Sequence, residues 1–422
     1  MIRRRRWWAG RLRALVTLAL VAGLLVACSA TPASPTVLRV LMTDDWVTAP
    51  FLDAVREFER AHPNVRVEID RGPISRMADA VRAAIATGSP PDVVQGHAFA
   101  AAAQGLAQPV DDLWAEHLEK ADFFDGAIDD VAWAGRLYGI PLDTNAMVLI
   151  YDNEALASAG VPPPTSATTF ADFKTMATRL SSPDGARRAI AFPTSTWWTY
   201  GWIAANGGDL VRVGSDGRVE LTLDSPAVVQ ALQYLSDLVA ADAAVAPRGG
   251  DSSSGDALAL FQSGKVAIHA SGSWDLALVR KEPAGAKYAA AFMPWGPAGE
   301  RPAATAMGGS SLFVPTGSSK RELAFDFMAR LTSDTYARRF AAEQGRLPVR
   351  LRLYEDPLFQ DPAIRVFVEQ LKTARPPKLG AYPEASLIFA DAIDRILRLR
   401  EDPAKVLGEA QRKAMALPLG PR

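Results

Sequence analysis

The sequence predicts an α/β fold built as two lobes, and three observations lead there. The chain has 422 residues, and single hydrophobic cores stop growing at roughly 250–300 residues. Short apolar runs alternate with segments of helical periodicity, the pattern of a parallel sheet whose strands are joined by helices. A long extended run, Leu137 to Tyr151, is suited to crossing from one lobe to the other. Composition agrees: 49% of residues are apolar and 22% are charged, a globular balance.

The chain opens on a targeting pattern. Arg3, Arg4, Arg5, Arg6, Arg11 and Arg13 precede an apolar stretch from Ala14 to Val26. At about 13 residues that stretch falls short of the ~20 a spanning helix needs. Leu25-Val26-Ala27-Cys28 then resembles the bacterial lipobox, in which the cysteine takes a lipid and the preceding segment is removed. Cys28 is the only cysteine of the chain, so no internal disulfide can claim it. Residues 1–27 therefore read as a lipoprotein signal peptide. The arginine cluster leaves the export route open between the general and twin-arginine systems. Removing 1–27 takes away six basic and no acidic residues, which moves the net charge from −1 to −7. No basic stripe remains, which argues against a nucleic-acid partner.

Residues 28–36 are small, polar and proline-containing, and read as a flexible tether. Val37–Met42 reads as a buried strand. Phe51, Leu52, Val55 and Phe58 repeat at helical spacing and predict a helix over Phe51–His62, stopped by Pro63-Asn64. Val65–Ile69 alternates as a strand, Met77–Ala86 is helical, and Asp92–Val94 enters another strand after Gly88-Ser89-Pro90-Pro91. Helices are expected at Phe170–Leu180, Ala227–Ala240, Asp256–Gln262 and Lys320–Leu331, and strands at Ala189–Phe192, Val266–Ala270 and Ser311–Val314. From Tyr336 onward the chain reads as mostly helical, broken by prolines. Gly249–Gly255 is the one low-complexity piece and reads as a loop.

Several segments in this order resemble the extracellular solute-binding proteins of ABC importers, the group that includes maltodextrin binders. They are Gly88-Ser89-Pro90-Pro91-Asp92-Val93-Val94 with Gly105 to Leu113, Leu137-Tyr138-Gly139-Ile140-Pro141 running to Asp152, and Trp202 to Gly208. Phe261 to Ala267 with Ser271-Gly272-Ser273-Trp274 follows, then Ala324 to Met328 leading to Gly345-Arg346-Leu347-Pro348. The resemblance covers essentially the whole mature chain. It implies a periplasmic-binding-protein-like fold of two lobes, an interlobe cleft and a hinge. The implied ranges are 37–144 plus 271–314 for one lobe and 145–270 plus 315–422 for the other. It further implies a monomer that captures a sugar or oligosaccharide, delivers it to ABC permease subunits, and meets the membrane only through its lipid.

A sugar presents an apolar C–H face and an edge of hydroxyls, so its site wants flat aromatic rings and a few fixed polar groups. The densest aromatic cluster among the 10 tryptophans is Trp197, Trp198, Tyr200 and Trp202. Trp197 matches the family's stacking aromatic. Trp198 is a second candidate, and Trp202 reads as core. Trp274 sits where the family carries a stacking tryptophan, and Asn145 where it carries a ligand-bonding polar residue. Open α/β sheets bind ligands beyond the carboxyl ends of their strands. That rule adds Asp44 and Trp46, with Asp45 as an alternative to Asp44, and adds Gln95 and the weaker candidate His97. Gly309 and Ser310, in Gly308-Gly309-Ser310, allow close backbone approach. Arg346 could grip a hydroxyl pair or an anion.

Competing chemistries leave fewer traces. No Gly-x-Ser-x-Gly elbow, His-Glu-x-x-His or Cys/His cluster occurs, and the histidines His62, His97, His117 and His269 are scattered. A secreted glycoside hydrolase is thus disfavoured, and no metal or cofactor is expected. A glycerophosphodiester or amino sugar stays open as ligand, the first favoured by Arg346 and the second by Asp44 or Asp45.

Overall fold

The structure is a computed structural model and describes residues 35–213, 218–247 and 253–417. The signal segment, Cys28 and nearly all of the tether lie outside the described residues, as does the centre of the Gly249–Gly255 stretch. The last residues of that stretch open a helix, Ser253–Gln262, rather than extending a loop.

Two main sheets are built from β1 (Thr36–Met42), β2 (Val65–Arg71), β3 (Val93–Gly96), β4 (Gly139–Ala146), β5 (Val148–Asp152), β6 (Arg188–Ala191), β7 (Ala244–Val245), β8 (Val266–Ser271), β9 (Tyr288–Ala291), β10 (Thr305–Phe313) and β11 (Ala374–Arg375). The first sheet has the order β11-β10-β3-β1-β2, with β4 also paired to β10. Within it β1 runs parallel to β2 and β3, while β10 is antiparallel to β3 and β4. The second sheet has the order β7-β6-β8-β5-β9. Only Met147 separates β4 in the first sheet from β5 in the second. The extended run at Leu137–Tyr151 therefore crosses between lobes, as its length suggested.

The local reasons are visible in the helices. In the helix Ala49–Ala61, Phe51, Ala54, Val55 and Phe58 share one face and are buried in the first core. The helix Phe170–Leu180 starts on a reciprocal cap: Thr169 Oγ1 accepts from the Asp172 amide, and Asp172 accepts from the Thr169 amide. Its buried Phe170, Phe173, Ala177 and Leu180 belong to the second core.

The expected lobe ranges need correction in two places. Residues 271–314 were assigned to the first lobe, yet β9 pairs with β5 in the second sheet. Residues from 315 onward were assigned to the second lobe, yet the helices Arg321–Leu331 and Asp334–Gln344 pack on the helix Ala49–Ala61, and Phe325, Phe327 and Phe340 join the first core. The chain returns to the second core only from Leu379. The physical cause is that an amphipathic helix must cover apolar surface, and its own pattern does not say which sheet offers it. Among the described residues, no helix is long and apolar enough to cross a membrane. Nor does any group of three or more His, Cys, Asp or Glu among them suit a metal ion.

Candidate functional site

At the carboxyl ends of β1 and β3 a chain of polar side chains closes into a ring. The Thr43 amide and hydroxyl both donate to Gln95 Oε1 at 3.0 Å, and Gln95 Nε2 donates to Ser310 Oγ at 3.2 Å. The Ser310 amide and hydroxyl in turn donate to Asp143 Oδ1 at 2.8 and 2.9 Å. Arg346 faces Asp143 Oδ2 at 3.5 Å with one nitrogen and pairs with Asp45 through the other. A register shift between Ser310 and Ser311, against Asp143 and Pro141, turns Ser310 toward the carboxylate. Asp143 is only 4% exposed, and its Oδ2 accepts no hydrogen bond. Burial pushes the Asp143 carboxyl above its usual range, while Arg346 and the Ser310 bonds hold it back.

Two residues along β10 from Ser310, at Gly308, lies a box of indoles. Trp197 and Trp198 begin the helix Thr196–Ala205, and Trp274 lies in the first turn of the helix Ser273–Arg280. The ring centroids of Trp197 and Trp274 are 5.4 Å apart, and those of Trp197 and Trp198 are 4.9 Å apart and nearly perpendicular. Trp197 Nε1 donates to the Met307 carbonyl at 2.8 Å. Gly308 lies against both indoles: a β-carbon there would sit 3.0 Å from Trp197 and 3.2 Å from Trp274. Its neighbour Gly309, at φ +116°, would bring a β-carbon to 2.4 Å from the Asp143 carbonyl. Only glycine fits either position without displacing the wall behind it. Met307 to Ser310 thus touches the indole box at one end and the polar ring at the other.

Asn145 ties the crossing segments together. Its Nδ2 donates to Ser273 Oγ at 2.6 Å, its Oδ1 accepts from the Ser273 amide at 2.9 Å, and Ser273 Oγ donates to the Gly345 carbonyl at 2.7 Å. Beside the ring lies an open cavity of about 560 Å³, within the range of small-ligand sites. Its walls come from both lobes: Met77, Arg82, Gln95, His97 and Phe313 on one side, Gly380, Tyr382 and Glu384 on the other. His97 Nδ1 is 2.8 Å from Asp130 Oδ1. The His97 side chain keeps 44% of its surface open, and the desolvation that works against its charge is outweighed by the Asp130 carboxylate, which raises the imidazole's pKa. The Tyr382 hydroxyl is buried without a partner, and burial pushes its pKa up to about 12.

Of the residues the sequence singled out, Gln95, Ser310 and Arg346 meet in the polar ring, and Trp197, Trp198 and Trp274 meet in the box, with Gly309 between them. Three expectations change. Trp46 is 1% exposed and packs edge-on against Phe340 at 4.7 Å, with the Arg346 guanidinium over its ring. It serves as core, because its side chain turns inward at the strand end. Asp44 stays exposed with Arg71 4.0 Å away, and Asp45 joins the ring instead. Asn145 is fully buried and its amide is taken up by Ser273 and Ala146. Trp202 is core as expected, among Phe170, Phe173 and Phe192. The reading of the sequence missed Asp143, Ser273 and Tyr382. Asp143 had one signal, a charge inside an otherwise apolar crossing run.

The comparisons with known proteins fit this architecture. A family model described as bacterial extracellular solute-binding protein matches residues 53–366. The diacetylchitobiose binding protein DasA of Streptomyces coelicolor is 27% identical over 322 residues, covering 72% of this chain and 70% of that one. The GacH receptor of Streptomyces glaucescens, solved unliganded and with acarbose, superposes with a TM-score of 0.76 at 23% identity, over 90% of this chain and 99% of that one. UgpB of Mycobacterium tuberculosis, solved with glycerophosphocholine, superposes with a TM-score of 0.74 at 22% identity, over 89% and 97%. The two solved structures share the two-lobe fold. With the family model spanning most of its length, the chain belongs to the bacterial extracellular solute-binding proteins.

Proposed function

We propose that this protein captures a sugar or oligosaccharide between its lobes and hands it to the permease subunits of an ABC importer, without chemically changing it. The observation that carries the reading is the indole box of Trp197, Trp198 and Trp274 set against the side-chain-free backbone of Gly308. Aromatic faces bury the C–H surface of a sugar ring, and the polar ring beyond Gly309 holds in place the strand that floors them. Diacetylchitobiose for DasA and acarbose for GacH support the same class of ligand.

A second reading has one observation in its favour. The box meets β10 two residues from Ser310, which bonds Asp143, and indoles with a carboxylate along the same strand also suit a cationic group, such as an amino sugar or the choline end of a glycerophosphodiester. An anion finds less support, because Arg346 is already matched by two carboxylates. Thermal melts with neutral saccharides, amino sugars and glycerophosphocholine separate these readings, since a ligand of the native state raises its melting temperature. Stabilisation by neutral saccharides, recovered unchanged afterwards, is the expected result. Stabilisation by glycerophosphocholine alone would replace it.

The protein is further held to act as a monomer at the outer face of the cell membrane, anchored through lipidated Cys28. Cys28→Ser should release it into the medium or leave it unprocessed. A processed variant that stays with the membrane fraction would remove the anchor from this account.

A further inference from the structure

Trp274 is held by both of its chain neighbours, and they are tied to opposite lobes. Ser273 before it bonds Asn145 on β4 of the first sheet and the Gly345 carbonyl, at the end of the first-lobe helix Asp334–Gln344. Asp275 after it bonds β8 of the second sheet: its Oδ2 accepts from Ser271 Oγ at 2.6 Å and lies 2.8 Å from His269 Nε2. A carboxylate only accepts, so Nε2 is the donor. The His269 imidazole is backed by the Phe261 ring, with 22° between their planes. All four polar residues are buried, so a solute on the indoles does not reach them. The indole itself lies over Gly272, where a β-carbon would strike its six-membered ring. The turn Ser271-Gly272-Ser273 thus sets the plane of the indole, and the two sets of bonds set the turn.

Resting on the saccharide reading above, we propose that Asp275, with His269 and Ser271 behind it, is a positioning residue: it holds Trp274 at its 45° inclination to Trp197 and so sets affinity for a solute it does not touch. The strand itself supports this. β8 reads Val-Ala-Ile-His-Ala-Ser and is buried along its length, and a polar cluster inserted there costs desolvation that its bonds repay only in part. Its return is geometry. A ring already fixed in the orientation it needs gives up less freedom when a solute stacks on it.

Circular dichroism and calorimetry on the intact protein test this, with maltotriose and diacetylchitobiose as probes. Neighbouring indoles give a joint dichroism whose sign and size follow the angle between them, and the part lost in Trp274→Phe belongs to Trp274. Asp275→Ala should shrink that part with no sugar present and weaken sugar binding about 10-fold, as the bonds that fix the ring are lost. Asp275→Asn keeps an acceptor oxygen for both donors. It should retain the signal and bind within about threefold of the parent. If Asp275→Ala does not fold, Ser271→Ala, which removes one of the two bonds, should show the same loss at about threefold. A folded Asp275→Ala or Ser271→Ala that melts earlier yet keeps the dichroism or the affinity overturns the positioning role, as does an Asp275→Asn no better than Asp275→Ala. No binding of any neutral saccharide by the parent would overturn the capture reading instead, and the dichroism by itself would then decide whether Asp275 positions the indole.

Discussion

The indole box and the polar ring meet β10 two residues apart, at Gly308 and Ser310, and they are built in opposite ways. The box takes Trp197 and Trp198 from one helix and Trp274 from another, each partly exposed, and spends one hydrogen bond, from Trp197 to Met307. The ring takes Thr43, Gln95, Asp143, Ser310 and Arg346 from five separate segments and turns most of their polar groups toward one another. Residues with spare surface are free to bind. Residues bonded to one another hold the frame. The difference predicts that damage to the box is felt in affinity and damage to the ring in stability.

The sharpest contrast is between tryptophans. Trp202, four residues beyond Trp198, is enclosed by Phe170, Phe173 and Phe192. Trp202→Ala should destabilise the fold by about 3–5 kcal/mol, read by urea denaturation. A smaller loss than that of Trp197→Ala would erase the distinction between core and box. Next comes Arg346→Ala, which strands the Asp143 charge without its cation and should cost about 3 kcal/mol at neutral pH. The pH dependence has a definite sign. A carboxyl whose folded pKa is raised binds its proton more tightly folded than unfolded, so its contribution falls as pH rises through that pKa. Removing Arg346 raises the pKa further, and the variant's deficit should shrink toward pH 4. A deficit independent of pH would mean that Asp143 does not sense Arg346.

Smaller effects test the box. Trp197→Ala and Trp274→Ala should each weaken saccharide binding by about 30-fold, or ~2 kcal/mol, with melting temperatures close to that of the parent. Calorimetry beside thermal melts reads both quantities, and unfolding in place of weaker binding would return that indole to the core. Gly308→Ala places a methyl 3.0 Å from Trp197 and should cost about 1 kcal/mol of affinity as the indoles shift. Unchanged affinity would separate Gly308 from the floor of the site.

The same contrast explains what the sequence made legible. Many strands and helices came close to their observed bounds because their periodicity is local: Phe170–Leu180 and Met77–Ala86 matched end to end, whereas β10, read only as Ser311–Val314, spans Thr305–Phe313. Aromatic candidates were found by type, since few side chains offer a flat apolar face. The ring was legible only in parts. Asp143 meets Ser310 across 167 residues of chain, and no pattern within its own strand announces that pairing. Trp46 was misjudged because the strand-end rule gives a position and not a direction. Asn145 was noticed for its place in the crossing run, but its partners Ser273 and Gly345 belong to segments that only the fold brings beside it. The side on which the C-terminal helices pack was hidden for the same reason.

The continuity of β10 has a consequence for observation. Its residues Met307 to Ser310 accept the Trp197 bond, floor the indole box and feed the Asp143 carboxylate, while pairing with β4 along their length. A solute settling on the indoles presses on the same four peptide groups that close the ring. The rate at which those amides trade hydrogen for deuterium is then an intrinsic gauge of occupancy, readable without a label and before the identity of the solute is known.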